Sequence, residues 1–351
     1  MRGKTSENLK LRMKVLNTVI IGYGEIASSI SLDKKITESL QYASHTQALK
    51  DSSEFCVVAI VDPSEEARKL AHRDWPDALI ASNCNKLPDE FEIDVAVITT
   101  KPESRIDVLL EMPKSIRGVI VEKPLGLRLG EILEFQKTCK KLNLIVQVNL
   151  QRRMDLESRK ILGDWWEDNI GGIQHVNVLY GKGLFNNGIH AIDYVRMMCG
   201  EITSAQAIGE ITPFSSTTIK SDFNATAILM LEQSAPVYMR CIDFRFYRDI
   251  VIDIWGTKGR LEVFQEGLLF NYYPLAAHRA MAHEQEIQLD NPTKFKAGAS
   301  EALLHIYNDF YSAMVYETKL HSSLDNAVQN HKVIDAIIAS SSSGKSCSIA
   351  N

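Results

Sequence analysis

Five short apolar runs, each stopping at a glycine or a polar residue, constrain this chain more than any other feature. Residues 15–21 stop at Gly22, 56–61 at Asp62, 95–98 at Thr99, 119–121 at Glu122 and 144–148 at Asn149. Such runs lack the alternation of a half-exposed strand and fit strands covered by helices on both faces, the arrangement of parallel sheets. The intervening stretches have helical spacing: Leu129, Ile132, Leu133, Gln136 and Cys139 recur at the right intervals. The first part of the chain is therefore predicted to be α/β, with a parallel sheet. In open sheets of this kind ligands bind outside the carboxyl ends of the strands, where all five stops would lie.

Beyond residue 150 the pattern changes to period two. Residues 173–180, 224–231 and 236–247 mix apolar and polar positions, and 250–255 and 260–264 flank the turn Gly256-Thr257-Lys258-Gly259. With helical stretches at 189–198, 303–316 and 324–340, this half is predicted to be α+β, with about six mostly antiparallel strands. The 351 residues suit roughly two domains. A net charge of −5 excludes a basic field that would recruit nucleic acid or anionic lipid. No apolar run reaches the ~18 residues of a membrane span. The six cysteines are scattered, with neither a disulfide framework nor a zinc spacing, which predicts buried thiols, a reducing compartment and a cytoplasmic location. Residues 1–14 lack the apolar stretch of a secretory signal and are predicted to form a flexible tail, with residues 340–351 a surface terminus. His278, His283, Glu284 and Glu286 match no metal-ligand spacing and are expected to be solvated. Trp165 and Trp166 are expected to pack a linking helix.

Three motifs carry chemistry. Gly22-Tyr23-Gly24-Glu25-Ile26-Ala27 follows a strand and is expected to open a helix. Its first glycine permits a tight turn, its second the close approach of a pyrophosphate, and the small Ala27 helix–strand packing. The expected acid for the adenosine ribose is Asp62, 35 residues beyond Ala27, so residues 31–53 must hold an extended helix or an inserted loop. A carboxylate there repels a 2′-phosphate and favours NAD over NADP. The second motif, Glu122-Lys123-Pro124, sets an amine at a strand end, where partial desolvation brings its pKa toward the working range. In the third, Asn186-Asn187-Gly188-Ile189-His190-Ala191-Ile192-Asp193, His190 and Asp193 would share a helix face, with the carboxylate able to orient the imidazole. Arg152 and Arg153 suit either a substrate phosphate or a solvated face.

The order GYGEIA, IVDP, VIVEKPLG, GLFNNGIHAID and GTKG resembles the glucose–fructose oxidoreductase / inositol dehydrogenase / MocA family over residues 15–345. The resemblance implies a doubly wound Rossmann domain (14–150) that binds NAD(P), and an α+β domain (151–345) that binds substrate. The open sheet of the second domain would form a homodimer or homotetramer. It further implies hydride transfer between nicotinamide and a sugar-like hydroxyl or carbonyl. Lys123 and His190 match the catalytic lysine and histidine, with Asn186 beside them. Gly22, Tyr23, Gly24, Glu25, Ile26, Asp62, Thr99, Thr100, Glu122 and Lys123 fall to the cofactor. Lys123, Arg153, Asn186, Asn187, His190 and Asp193 fall to the substrate, and no metal is implied. Two departures stand out. Asn186 occupies the place of an aspartate, so it cannot hold the negative charge that raises a neighbour's basicity. Arg105 replaces a histidine in the segment after residue 98. The alternative these departures raise is a cofactor-binding regulator or sensor with weak or no activity.

Overall fold

A computed structural model describes residues 14–88, 90–215 and 219–349. All but the last residue of the predicted N-terminal tail lies outside them. The first sheet consists of β1 (Leu16–Ile21), β2 (Phe55–Val61), β3 (Leu79–Ala81), β4 (Val95–Ile98), β5 (Gly118–Val121) and β6 (Ile145–Val148). All six run parallel in the order β3-β2-β1-β4-β5-β6, the doubly wound order expected. Register aligns their ends: Ile21 pairs with Val61 and Ile98, Ile98 with Val121, and Val121 with Val148. The next residue of each strand, Gly22, Asp62, Thr99, Glu122 or Asn149, therefore lies in one row along the carboxyl edge. Between β1 and β4 the winding reverses, which opens the crevice where such sheets take ligands. Strand β3, three residues long, is too short to leave a pattern in the sequence.

Described strands of the second half are β7 (Ile173–Tyr180), β8 (Ile202–Phe214), β9 (Asp222–Leu231), β10 (Pro236–Cys241), β11 (Val251–Gly256), β12 (Gly259–Phe264), β13 (Leu269–Ala277), β14 (Gln285–Ile287), β15 (Thr293–Lys296) and β16 (Cys347–Ser348). They form a ten-stranded sheet, antiparallel except where β10 runs beside β7. Three expectations need correction. The sheet exceeds the six strands predicted, because β8 and β13 mix small, polar and apolar residues without a clean period. The run 236–247 is strand only to Cys241, since Asp243 draws the Arg245 N–H and guanidinium into a turn. The C-terminal tail is not merely surface, because Cys347 and Ser348 pair with Ala205 and Ser204 of β8.

Helix α1 (Leu129–Lys141) covers one face of the first sheet, and α2 (Ile189–Cys199) lies on the inner face of the second. Helix α3 (Ala302–Tyr316) returns to the first sheet, where Ile306, Tyr307 and Phe310 pack with Ile20, Val97 and Ile120. Helix α4 (Leu324–Ser343) belongs to both cores. Its Leu324, Ala327 and Val328 pack with Val121 and Val148, and its Val333, Ile334 and Ile337 pack with Val176 and Leu229. One rigid helix thus holds the carboxyl edge of the first sheet against α2. His278, His283 and Glu284 lie along the β13–β14 connection and Glu286 within β14, and no metal-binding cluster exists among the described residues. Trp166 is core, and Trp165 packs edge-on to Tyr272 and Phe295, as expected for a linking helix.

Candidate active site

Gly22 has φ +90°, and a Cβ there would lie 3.0 Å from the Thr100 amide nitrogen and 3.1 Å from the Thr99 carbonyl carbon. Only glycine lets β1 turn this close to the exit of β4. Gly24 is different: a Cβ there would meet no protein atom within 4 Å. The space above it is open, as an approaching pyrophosphate requires. Thr99 Oγ1 donates to the Gly22 carbonyl at 2.5 Å and fixes the loop, while the Thr100 hydroxyl is buried without a partner. Asp62 terminates β2, its Oδ2 accepting the Tyr23 N–H at 2.6 Å and its Oδ1 the Ser64 N–H at 2.7 Å. Each oxygen retains acceptor capacity for a ribose hydroxyl. The open glycine, the orphan hydroxyl and the acid at the β2 end fit a dinucleotide.

The helix expected to start at the glycine loop does not form. Residues 24–28 turn, Ser29–Leu32 forms a 3-10 turn, and two short helices follow, Lys34–Ser39 and His45–Asp51. Ser28 donates to Asp74 at 2.6 Å, and the Tyr23 hydroxyl lies 2.8 Å from that of Thr46. The Ile26 and Ala27 carbonyls, which a helix would use, instead accept the His45 and Thr46 N–H groups at 3.1 and 2.9 Å. The donors that remain for a phosphate are loop amides, and Glu25 and Ile26 lie on that exposed turn.

Glu122 carries the next part of the edge. Its Oε1 accepts from His45 Nε2 at 3.0 Å and Asn149 Nδ2 at 2.5 Å, and its Oε2 accepts the Lys123 N–H at 3.1 Å. His45 Nδ1 in turn meets the Tyr307 hydroxyl of α3 at 2.6 Å. Burial pushes the Glu122 carboxyl up, but His45, Asn149 and the Lys123 charge outweigh it, and its pKa lies below the ordinary value. On the other side, Arg105 is 2% exposed. Its Nη2 donates to the Thr100 carbonyl at 3.0 Å and its Nη1 to the Pro124 carbonyl, clamping the β4 and β5 exits together.

Between these supports Lys123 extends toward the second sheet, where Nζ donates to the Asn186 carbonyl at 2.9 Å. Its pKa is lowered from 10.5 to about 8, by burial first and then by the Arg152 and Arg105 charges, against the pull of Glu122 and Asp222. Asn186 belongs to a single π turn, Leu184–Gly188, that leads directly into α2. His190, in the first turn of α2, is 7% exposed. Desolvation, then Arg152, Lys123 and Arg248, hold its pKa well below 6.5, so the imidazole is neutral at physiological pH. Lys123 and His190 thus lie within each other's electrostatic reach, at the turn where Lys123 is anchored.

Not every residue named from sequence turns toward this point. Asp193 does not orient His190, because its Oδ1 is taken by Arg153 Nε at 2.7 Å and Asn330 Nδ2 at 2.8 Å. Arg153 is correspondingly pinned to α2. The arginine whose charge reaches both Lys123 and His190 is Arg152, with Nε on the Glu266 carbonyl at 3.1 Å and a buried Nη1 that has no partner. Arg152, His190, Tyr194 and Glu266 line a small cavity. Asn187 is likewise buried with an unpartnered Nδ2. His45, Tyr307, Asp222, Arg248 and Glu266 went unnamed in the sequence because no local spacing connects them to the motifs.

A doubly wound dinucleotide-type edge that carries an amine, with a neutral imidazole on the helix facing it, has the layout of a two-part oxidoreductase. Residues 16–150 match the NAD-binding Rossmann domain of the GFO_IDH_MocA oxidoreductase family, and residues 163–262 match the GFO/IDH/MocA C-terminal domain. The chain belongs to this family, as its motifs implied, and is an NAD-binding oxidoreductase. It is 25% identical over 311 residues to inositol 2-dehydrogenase 2 of Saccharopolyspora erythraea, covering 81% of this chain and 90% of that one. The fold is similar to that of levoglucosan dehydrogenase in complex with NADH and L-sorbose (TM-score 0.75, 16% identity, 97% of this chain and 100% of that). It is also similar to a super-repressor mutant of Gal80p from Saccharomyces cerevisiae (TM-score 0.74, 15% identity, 96% and 99%).

Proposed function

We propose that the chain is an NAD-dependent dehydrogenase or reductase acting on the CH–OH group of a sugar or sugar derivative. Residues 14–150 would hold the cofactor and 151–345 the substrate. The observation that carries this reading is that Lys123, at the carboxyl edge beside the crevice between β1 and β4, is anchored on the turn that opens α2 with its neutral His190. The bound nicotinamide supplies hydride acceptance or donation. The glycine loop, Asp62, Thr99 and Thr100 would hold it, with the Asp62 charge favouring NAD over NADP.

The substrate would sit between the sheets with its reacting oxygen near Lys123 and His190. In oxidation Lys123 Nζ or His190 takes the hydroxyl proton, and in reduction the ammonium group returns it. His190 is neutral, so it can accept a proton without first losing one. The unpartnered amide of Asn187 and the side chain of Asn186 suit neighbouring hydroxyls, and the unpartnered Nη1 of Arg152 a further oxygen. The inositol dehydrogenase relative and the levoglucosan dehydrogenase neighbour support a polyhydroxylated substrate. Ile208 and Tyr238, exposed on the second sheet, support self-association through it into a dimer or tetramer, which light scattering would read. Six free cysteines support a reducing, cytoplasmic location.

The test is an NADH absorbance assay of the purified protein against sugars, polyols and their oxidised forms, with NAD binding measured by calorimetry. NAD binding with turnover of at least one polyol or ketose is the expected result. NAD binding that responds to a sugar without turnover would assign the chain to the regulator reading, to which the Gal80p likeness and the neutral Asn186 lend support.

A further inference from the structure

Position 186 gives Lys123 a carbonyl and no charge. A buried ammonium group needs both, an acceptor to fix it and an anion to offset its desolvation. A carboxylate nevertheless stands at this turn, brought from another strand. Asp222, the first residue of β9, is 1% exposed. Its Oδ1 accepts the Phe185 N–H at 3.0 Å and the Phe223 N–H at 2.7 Å, and its Oδ2 accepts the Asn186 N–H at 3.0 Å. Burial raises the Asp222 pKa above the ordinary carboxylate value, and these partners, every one a donor, pull it back toward the ionised form. Gly183 is shaped around it, with φ +87° and room for no side chain: a Cβ there would lie 2.0 Å from Asp222 Oδ2.

The geometry has a direct consequence. The residue whose N–H is held by Asp222 is the one whose carbonyl holds Lys123 Nζ. We propose that Asp222 is the positioning residue for Lys123. Its carboxylate fixes the 184–186 turn so that the Asn186 carbonyl receives the amine, and it supplies across that turn the negative charge that residue 186 lacks. This rests on Lys123 being the proton-handling group of the proposed reaction.

The charged groups around Lys123 set the sign of the test. Glu122 on its own strand and Asp222 from β9 favour the ammonium form, while Arg105 after β4 and Arg152 after β6 oppose it. His190 on α2 is neutral. Removing the Asp222 charge leaves two arginines against one carboxylate, so Lys123 gives up its proton more readily.

Asp222→Asn in the full-length protein is the first variant. The Lys123 midpoint is read by NMR titration of isotope-labelled lysine Cε resonances, with Lys123→Arg identifying the signal. The expected result is a midpoint about half a unit to one unit lower than in the parent, turnover reduced about tenfold or more, and NAD affinity within about twofold. An unchanged midpoint together with unchanged turnover overturns the proposal. Asn186→Asp is the second variant and places a carboxylate on an unpartnered, half-buried side chain, so it decides the matter even if Asp222→Asn does not fold. With the Asp222 carboxylate already at this turn, a second one beside it is held largely protonated by like-charge repulsion, so the Lys123 midpoint in Asn186→Asp should rise by less than about half a unit. A rise of about half a unit or more would show that the site lacks that charge and would overturn the assignment. Full turnover in Lys123→Ala would instead overturn the reading of the site itself, whatever the two acid variants do.

Discussion

Lys123→Arg separates charge from proton transfer at one atom. In the folded chain the Lys123 pKa falls from 10.5 to about 8, chiefly by burial. At pH 7 a group of pKa about 8 is roughly 10% neutral, and one at 10.5 roughly 0.03%, so the site raises the competent base about 300-fold. An arginine in the same place keeps a cation near the Asn186 carbonyl but cannot lose its proton. Turnover in the oxidative direction should therefore fall about 10²–10⁴-fold, the usual size of a positioned acid–base contribution. Initial rates of NADH formation, followed across the pH range, should rise in the parent with an apparent midpoint at about 8. That limb should be absent from the variant. In the reductive direction the sign inverts: the ammonium form is the donor, and rates should fall above the same midpoint. His190 adds no limb near neutrality, because burial and the neighbouring cations hold its pKa well below 6.5. A variant that keeps turnover within about threefold, or that shows the same limb, would refute the role of Lys123.

The two loop glycines should separate folding from binding. Gly22→Ala, strained at φ +90° and against the Thr100 amide, should cost about 1–3 kcal/mol by denaturant titration. Gly24→Ala should leave stability within about 0.5 kcal/mol yet weaken NAD about tenfold in calorimetry. Asp62→Ser should weaken NAD by about tenfold and narrow the preference over NADP; unchanged discrimination would remove Asp62 from ribose recognition. Glu122 has a folded pKa below its unfolded one, so its stabilisation is present above the unfolded value and is lost as pH falls through the folded one. Glu122→Gln should cost about 3 kcal/mol at neutral pH and flatten the acid side of the stability profile, read as Tm against pH.

Where the sequence could be read, physics supplied a period. The first sheet was legible because strands buried on both faces must be apolar throughout and must end at residues that can leave the core. β4 therefore ends where expected, and of the predicted α1 stripe Ile132 and Cys139 face inward, while Leu133 is exposed and Phe135 takes the buried place instead. The second sheet was legible only in its central strands. β8 borders the two-residue β16, and β13 borders the short β14 and β15. With little opposite them, these strands keep a mixed face and no period. The missing helix after Gly24 has a local cause of a different kind. The Ile26 and Ala27 carbonyls accept the His45 and Thr46 N–H groups, and Tyr23 and Ser28 are bonded to Thr46 and Asp74, 23 to 51 positions away, so distant partners override a motif that normally starts a helix.

The candidate site divides along the same line. Its strand-end members were legible together because parallel register converts five separate stops into one row. Its remaining members come from elements that meet the row only after folding: His45 reaches Glu122 across 77 residues and Tyr307 across 262. No spacing rule spans such separations. Arg152 and Arg153 show how fine the distinction is, since neighbours in sequence face different partners, one near His190 and the other bound to Asp193. Asn186 is the sharpest case. Read along the chain, a carboxylate is absent there; read through space, Asp222 accepts the N–H of Asn186 itself. An ammonium group responds to the distance of a charge and not to the strand that carries it. The same electrostatic condition can therefore be met from β9, while a motif scan around His190 records only its loss.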